Sequence, residues 1–417
     1  MAPKPSLAIA CSALLLVGAI LRASSSEEPL RDPLSRLAAG LESGEVTLDY
    51  RDGASYLPSL LEHLDVNVDS QMLVFSKTSF QQALINPKNP RAVYFNDEVS
   101  VGTVPGGDVF ELLAIEPSHG MVFYSLSTKK TERPRLQRRG IECLFCHAMG
   151  NKGAPSMVVA SVTPDADGTP AYTSTFISTI DHRTPMEQRW GGWYVTGTHG
   201  SVRHMGNALA LDPFKPLDLQ TDGTQNLTSL EGKIDVSKYL TGTSDIVALM
   251  TLEHQVGVAN RINAINYQYN RTKGDGMSPA DWALIDTDIE DLTRYMLFVD
   301  EAPLGEAVKG VSTYTASFSA RGPRDTAGRS LRDFDLRTRL FRYRLSYMIY
   351  SDFFDGMPQP VRERVYRRLF DVLSADDPGP KYATLSAAER TDALDILRGT
   401  KPDLPDYWMA AAPAMPH

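Results

Sequence analysis

Val109-Phe110-Glu111-Leu112-Leu113 and Met121-Val122-Phe123-Tyr124, separated by a turn that ends in His119-Gly120, decide the fold. Runs this short, rich in β-branched and aromatic residues and closed by turn formers, suit half-buried strands better than helices. Working outward, Met72-Leu73-Val74-Phe75 and Ala92-Val93-Tyr94-Phe95 repeat the pattern, with Asn-Pro and Pro105-Gly106-Gly107 turns between the runs. The rhythm predicts an antiparallel sheet over residues 71–127. Upstream, Leu34, Leu37, Ala38 and Leu41 have helical spacing that stops near Gly44. From Glu231 onward the pattern is helical, and Ile246, Met250, His254, Val258 and Ile262 form one i,i+4 row of a long helix capped by Ser244. Further helices are expected over Arg337–Tyr350 and Pro360–Leu373. Ser278 and Asp281, then Ser386 and Glu389, form capping patterns, with Gly399 at the last stop. The fold class is therefore α+β: a leader over 1–25, a β-containing domain over 26–230 and a mainly helical domain over 231–417.

Between the two halves lies Cys143-Leu144-Phe145-Cys146-His147. C-x-x-C-H is the pattern for covalent attachment of haem c: two thiols reach the vinyl groups on one porphyrin edge, and the next side chain turns its imidazole onto the iron. It occurs once, so one covalent haem is expected, with Cys143 and Cys146 as attachment points and His147 as proximal iron ligand. A redox disulfide or half a zinc site uses the same C-x-x-C. Zinc needs further partners, and the only other cysteine, Cys11, lies in the leader. A thioredoxin-like motif gives His147 no fixed task. Residues 129–139 are strongly basic and lead straight into the motif; they read as a solvated loop or as arginines that meet haem propionates.

The compartment follows from the N-terminus. Lys4 precedes an apolar run over 7–21, and small residues follow, which is a secretory signal pattern. Export to the periplasm fits haem attachment, which in bacteria follows membrane crossing. An uncleaved leader would instead keep the protein peripherally attached to the membrane. At 417 residues the chain far exceeds a minimal haem module, and a formal charge of −9 argues against nucleic acid.

The second dense stretch runs from Asp181 to Asn207 and holds three histidines, two tryptophans and five glycines. Glycine admits a flat cofactor close to the backbone, and tryptophan supplies an apolar wall with one N–H donor. Met205 follows His147 by 58 residues and is the candidate distal ligand; His204, His199 and His254 are its rivals. Met149 and Met157 lie too near the motif to circle the ring. A methionine raises the iron potential, a histidine lowers it and an open face admits a small molecule. A looser possibility is a second metal held by His182, His199 and His204.

The motif, and more loosely the distance to Met205, resemble the single-haem class I cytochromes c. Tyr94-Phe95-Asn96-Asp97-Glu98 and the RWGGWYVTGTHGSVRHMGN block over 189–207 resemble large secreted mono-haem bacterial proteins, a likeness that spans most of the chain but carries no assigned activity. The resemblance implies electron transfer with a redox partner protein. The alternative is a peroxidase-like haem oxidoreductase with an open site near His182–Asn207. The sequence names no small-molecule substrate.

Overall fold

Asp32 starts the first helix, α1 (Pro33–Ser43), by accepting the N–H groups of Leu34 and Ser35, and Gly44 ends it at φ 81°, a conformation that glycine adopts without a Cβ clash. The computed structural model describes residues 29–147, 151–171, 178–212, 214–215, 217–273 and 276–409. The expected leader, Cys11, Met149 and the end of the C-terminal tail lie outside the described residues. From Asp32 onward the chain forms one compact unit.

After α2 (Leu57–His63) come β1 (Met72–Val74), β2 (Arg91–Phe95), β3 (Val99–Thr103), β4 (Val109–Glu116), β5 (Gly120–Ser127) and β6 (Leu136–Arg139). They form an antiparallel sheet in the order β6-β5-β4-β3-β2-β1, extended beyond β1 by β9 (Trp193–Tyr194). The expected strands are present. β3 and β9 were not foreseen, and β6 replaces the expected solvated loop at the basic stretch. Its residues pair with Phe123 to Leu126 of β5, so unpaired backbone on a long buried strand outweighs a charged composition. A Cβ at Gly102 in β3 would meet the Arg91 guanidinium, which would have to shift.

The sheet is buried on both faces. Met72, Val74, Val93, Phe95, Leu113, Ile115, Met121 and Phe123 join the core of the helical part. On the other face Tyr124 donates a hydrogen bond to Asp32 at the start of α1, at 2.9 Å. Gly140 leads from β6 into α3 (Ile141–His147), which carries the cysteines. Two short pairs follow: β7 (Ala160–Ser161) with β8 (Ser178–Thr179), and β10 (Leu209–Ala210) with β11 (Leu219–Gln220).

The long helix α4 (Ile246–Thr272) runs through the core, and its i,i+4 row is at most 1% exposed. Its cap is Asp245, which accepts the Val247 N–H at 2.8 Å, and not Ser244 as expected. Ser244 instead donates to the Tyr194 carbonyl and accepts from Leu73, so its hydroxyl ties the helix start to β9 and β1. α5 (Pro279–Met296) has the expected capping box; α6 (Tyr314–Ala320), α7 (Asp352–Asp355), α8 (Gln359–Ser374) and α9 (Ala387–Thr400) complete the helices. No α-helix forms over 337–350. There the Asp335 carboxylate accepts the N–H groups of Arg337, Thr338 and Arg339 and holds a turn, and only a 3-10 turn at Tyr347–Tyr350 follows. α9 passes through Gly399 and stops at Lys401.

Candidate functional site

On α3, Cys143, Cys146 and His147 stand at i, i+3 and i+4, which places all three on neighbouring positions of one helical turn. Cys143 is half-buried and Cys146 exposed, and both are free thiols. Burial, helped by the Glu142 and Glu111 carboxylates, pushes the Cys143 thiol up, so it stays protonated at neutral pH. The His147 Nδ1–H donates to the Ser156 carbonyl at 2.6 Å, and burial holds the imidazole below its ordinary pKa, hence neutral. Its Nε2 carries no hydrogen bond among the described residues.

Three parts of the fold hold this histidine. Phe123 of β5 packs against its ring at 4.8 Å between centroids. Ser156 returns to the helix end, its N–H and Oγ both donating to the His147 carbonyl at 2.6 and 3.0 Å. The neighbours of Ser156 are then tied to α4: Asn260 accepts from the Met157 N–H at 2.9 Å and donates to the Met157 carbonyl at 2.8 Å, while Asn263 donates to the Pro155 carbonyl at 2.6 Å. Alongside α3 the sheet ends in polar groups. Arg91 pairs with Glu111 at 2.8 Å, and Arg139 donates to Ser125 at 2.8 Å and pairs with Glu142.

Phe123, Ser156, Asn260, Asn263 and Arg91 were not singled out in the sequence. The one available signal was Asn260 and Asn263 at i,i+3 inside an apolar helix pattern, where asparagine is out of place unless it has a fixed partner.

The distal candidates lie in two other places, and none makes a hydrogen bond or ring contact with His147. Met205 is half-buried, with its sulfur 3.5 Å from the Ser161 hydroxyl and its N–H on the Arg189 carbonyl. His199 and His204 are neighbours, ring to ring 4.6 Å. Both nitrogens of His199 are engaged, Nδ1 on the Val202 carbonyl and Nε2 accepting from Asn226, whereas neither nitrogen of His204 has a partner among the described residues. His182 does not join them. Its Nδ1 lies 2.8 Å from Nδ1 of His254, whose Nε2 is 2.7 Å from the Ser346 hydroxyl.

This pair belongs to a buried polar layer between the 181–207 segment and the middle of α4. Arg189 is 3.1 Å from Glu253, Trp190 donates its indole N–H to the same carboxylate, and Tyr295 stacks on His182. Burial pushes Glu253 up to about 7 against the pull of Arg189, and pushes His254 down to about 3. The layer meets α4 at Glu253 and His254, whereas the loop after the cysteine motif meets it at Asn260 and Asn263. Seven residues of helix separate Glu253 from Asn260, about 10 Å along the axis.

Comparison with family models, curated proteins and solved structures gives no match. Among the described residues no three His, Cys, Asp or Glu side chains are grouped to hold a metal ion, so Cys143, Cys146 and His147 do not converge on one point, and neither do the three histidines of 181–207. No described helix is long and apolar enough to cross a membrane.

Proposed function

We propose that the protein is an exported mono-haem c-type cytochrome that transfers electrons through a haem attached at Cys143 and Cys146 and ligated by His147. The observation that carries this reading is the Nδ1–H bond from His147 to the Ser156 carbonyl. It fixes the tautomer in which Nε2 bears the free lone pair, as an iron ligand requires.

Bound there, haem c would supply a reversible one-electron couple. The chain supplies the rest. α3 sets the spacing of the two thiols, Ser156 orients the imidazole, and Phe123 shields one side of it from water. Arg139 and Arg91 are the cations beside α3 that suit propionates, the first from the basic stretch and the second from β2. Cys146 is exposed, so a redox partner protein could approach the point of attachment. Met205 stays the candidate distal ligand by its distance in sequence alone; in the fold its sulfur meets Ser161, in another place than His147. Peroxidase-like chemistry would call on Arg189, Trp190 and His182, but these are engaged with one another and with α4 deep in the core.

The test is the purified, exported protein. Haem absorbance that stays with the polypeptide through denaturation and acid extraction is expected, together with a reversible one-electron titration. A polypeptide that emerges colourless overturns the attachment, and an irreversible titration overturns electron transfer.

A further inference from the structure

The carbonyl that orients His147 is itself held from outside the cysteine motif. Pro155 and Met157, on either side of Ser156, are both bound by side chains of α4, 103 to 108 residues further along the chain. Asn260 acts in both directions on Met157, like a strand partner, and a third bond from Asn151 to the Asn260 carbonyl closes the loop onto the same turn. The fold makes room for Asn263 in one specific way: Gly120, at φ 79°, opens β5, and a Cβ there would lie 1.9 Å from the asparagine oxygen. Amides on the buried face of a helix are costly unless each polar atom is matched. Both amide atoms of Asn260 and the amide nitrogen of Asn263 are matched by the backbone of one short loop.

We infer that Asn260 and Asn263 are positioning residues of the proximal iron ligand, through which the helical part of the chain sets the strength of the His147 Nδ1–H bond and with it the electron affinity of the haem. This rests on the covalent haem proposed above. A hydrogen bond to the distal nitrogen of a ligating imidazole gives it imidazolate character, which favours ferric iron and lowers the potential. Three side-chain bonds keep Pro155 and Met157 in place, and the Ser156 carbonyl between them cannot swing away while they hold. Once they are lost, Ser156 is held only by its own two bonds to the His147 carbonyl, its carbonyl is fixed less firmly, the imidazole donates less strongly, and the potential rises.

The experiment uses the haem-loaded full protein and compares Asn260→Ala and Asn263→Ala with Asn266→Ala. Asn266 is a buried asparagine of the same helix that makes no side-chain hydrogen bond to the loop among the described residues. Two properties are read: hydrogen exchange of the His147 Nδ1–H by NMR, and the haem reduction potential. Exchange is expected to quicken on the order of tenfold in the first two variants, with a higher potential in both, and neither change in the third. If Asn260→Ala does not accumulate, Asn263→Ser, which keeps a hydroxyl too short to reach the Pro155 carbonyl, gives the same readings. Unchanged exchange and potential with haem covalently bound overturn the inference. Equal shifts in all three variants overturn it too, because they mark a general loosening of α4. A parent protein without covalent haem overturns the function reading instead.

Discussion

His147 on α3 is half-buried, with one ring nitrogen held and the other without a partner among the described residues, whereas His254 on α4 is fully buried with both nitrogens engaged. The two regions show what burial does with the same side chain. At the end of a short helix near the surface, one backbone carbonyl orients the ring and leaves a lone pair for chemistry. In the core, His254 has both nitrogens satisfied, and the partners that do so remove it from chemistry. Separating these roles should be possible by removing each set of groups. The largest effect belongs to the thiols: with Cys143→Ala and Cys146→Ala together, covalent haem should disappear altogether, read as loss of haem staining on a denaturing gel. Persisting stain would mean that attachment lies elsewhere.

Next in size is the buried ion pair. Glu253→Ala leaves the Arg189 guanidinium, 2% exposed, without its carboxylate, and should cost about 3–5 kcal/mol in urea unfolding. Replacing both partners, Arg189→Met with Glu253→Leu, should cost much less, since no buried charge is left unpaired. A small effect of Glu253→Ala alone would mean that water reaches the pair.

This contrast also explains what could be read in the sequence. C-x-x-C-H is contiguous, and its spacing is imposed by a rigid cofactor, so five residues suffice to expect it. The strands of β1, β2, β4 and β5 were equally plain, because burial on both faces leaves continuous apolar runs. β6 was hidden: two of its four residues are arginines at the end of a basic stretch, and only the open edge of β5 makes them a strand. The turns over 337–350 were hidden for a related reason, since one carboxylate, Asp335, competes with helix formation. The polar layer draws on positions 182, 189, 190, 253, 254, 295 and 346, and no local pattern links them. His254 did stand out as a polar residue in an apolar row, but its two partners lie 72 and 92 residues away.

The layer should also show itself in acid. His254 has its folded-state pKa depressed to about 3 from 6.5, so between these values the unfolded chain binds a proton that the folded protein refuses. Its contribution is complete above pH 6.5 and is lost as pH falls toward 3, at about 1.4 kcal/mol per pH unit. Glu253 acts in the opposite sense. Raised to about 7 from 4.5, it holds a proton that the unfolded chain gives up, so its contribution is lost as pH rises from 4.5 through 7. The two oppose each other between pH 4.5 and 6.5, and below 4.5 His254 acts together with His182, whose imidazole burial also holds well below its ordinary value. His254→Gln should therefore flatten the stability curve chiefly below pH 4.5, measured by urea unfolding at stepped pH. An unchanged slope there would mean that the His182–His254 pair accepts a proton without opening.

The smallest effect bears on the link between the two regions. Gly106 and Gly120 have nearly the same positive φ, 81° and 79°, but a Cβ at Gly106 meets nothing within 4 Å while one at Gly120 meets Asn263. Gly106→Ala should cost only backbone strain, about 1 kcal/mol. Gly120→Ala pays that and must also displace Asn263, so it should cost roughly 1–2 kcal/mol more and move the haem potential in the direction of Asn263→Ala. Equal costs for the two glycines, by urea unfolding, would show that Asn263 relaxes freely, and its grip on the Pro155 carbonyl would then be too soft to set the geometry of His147.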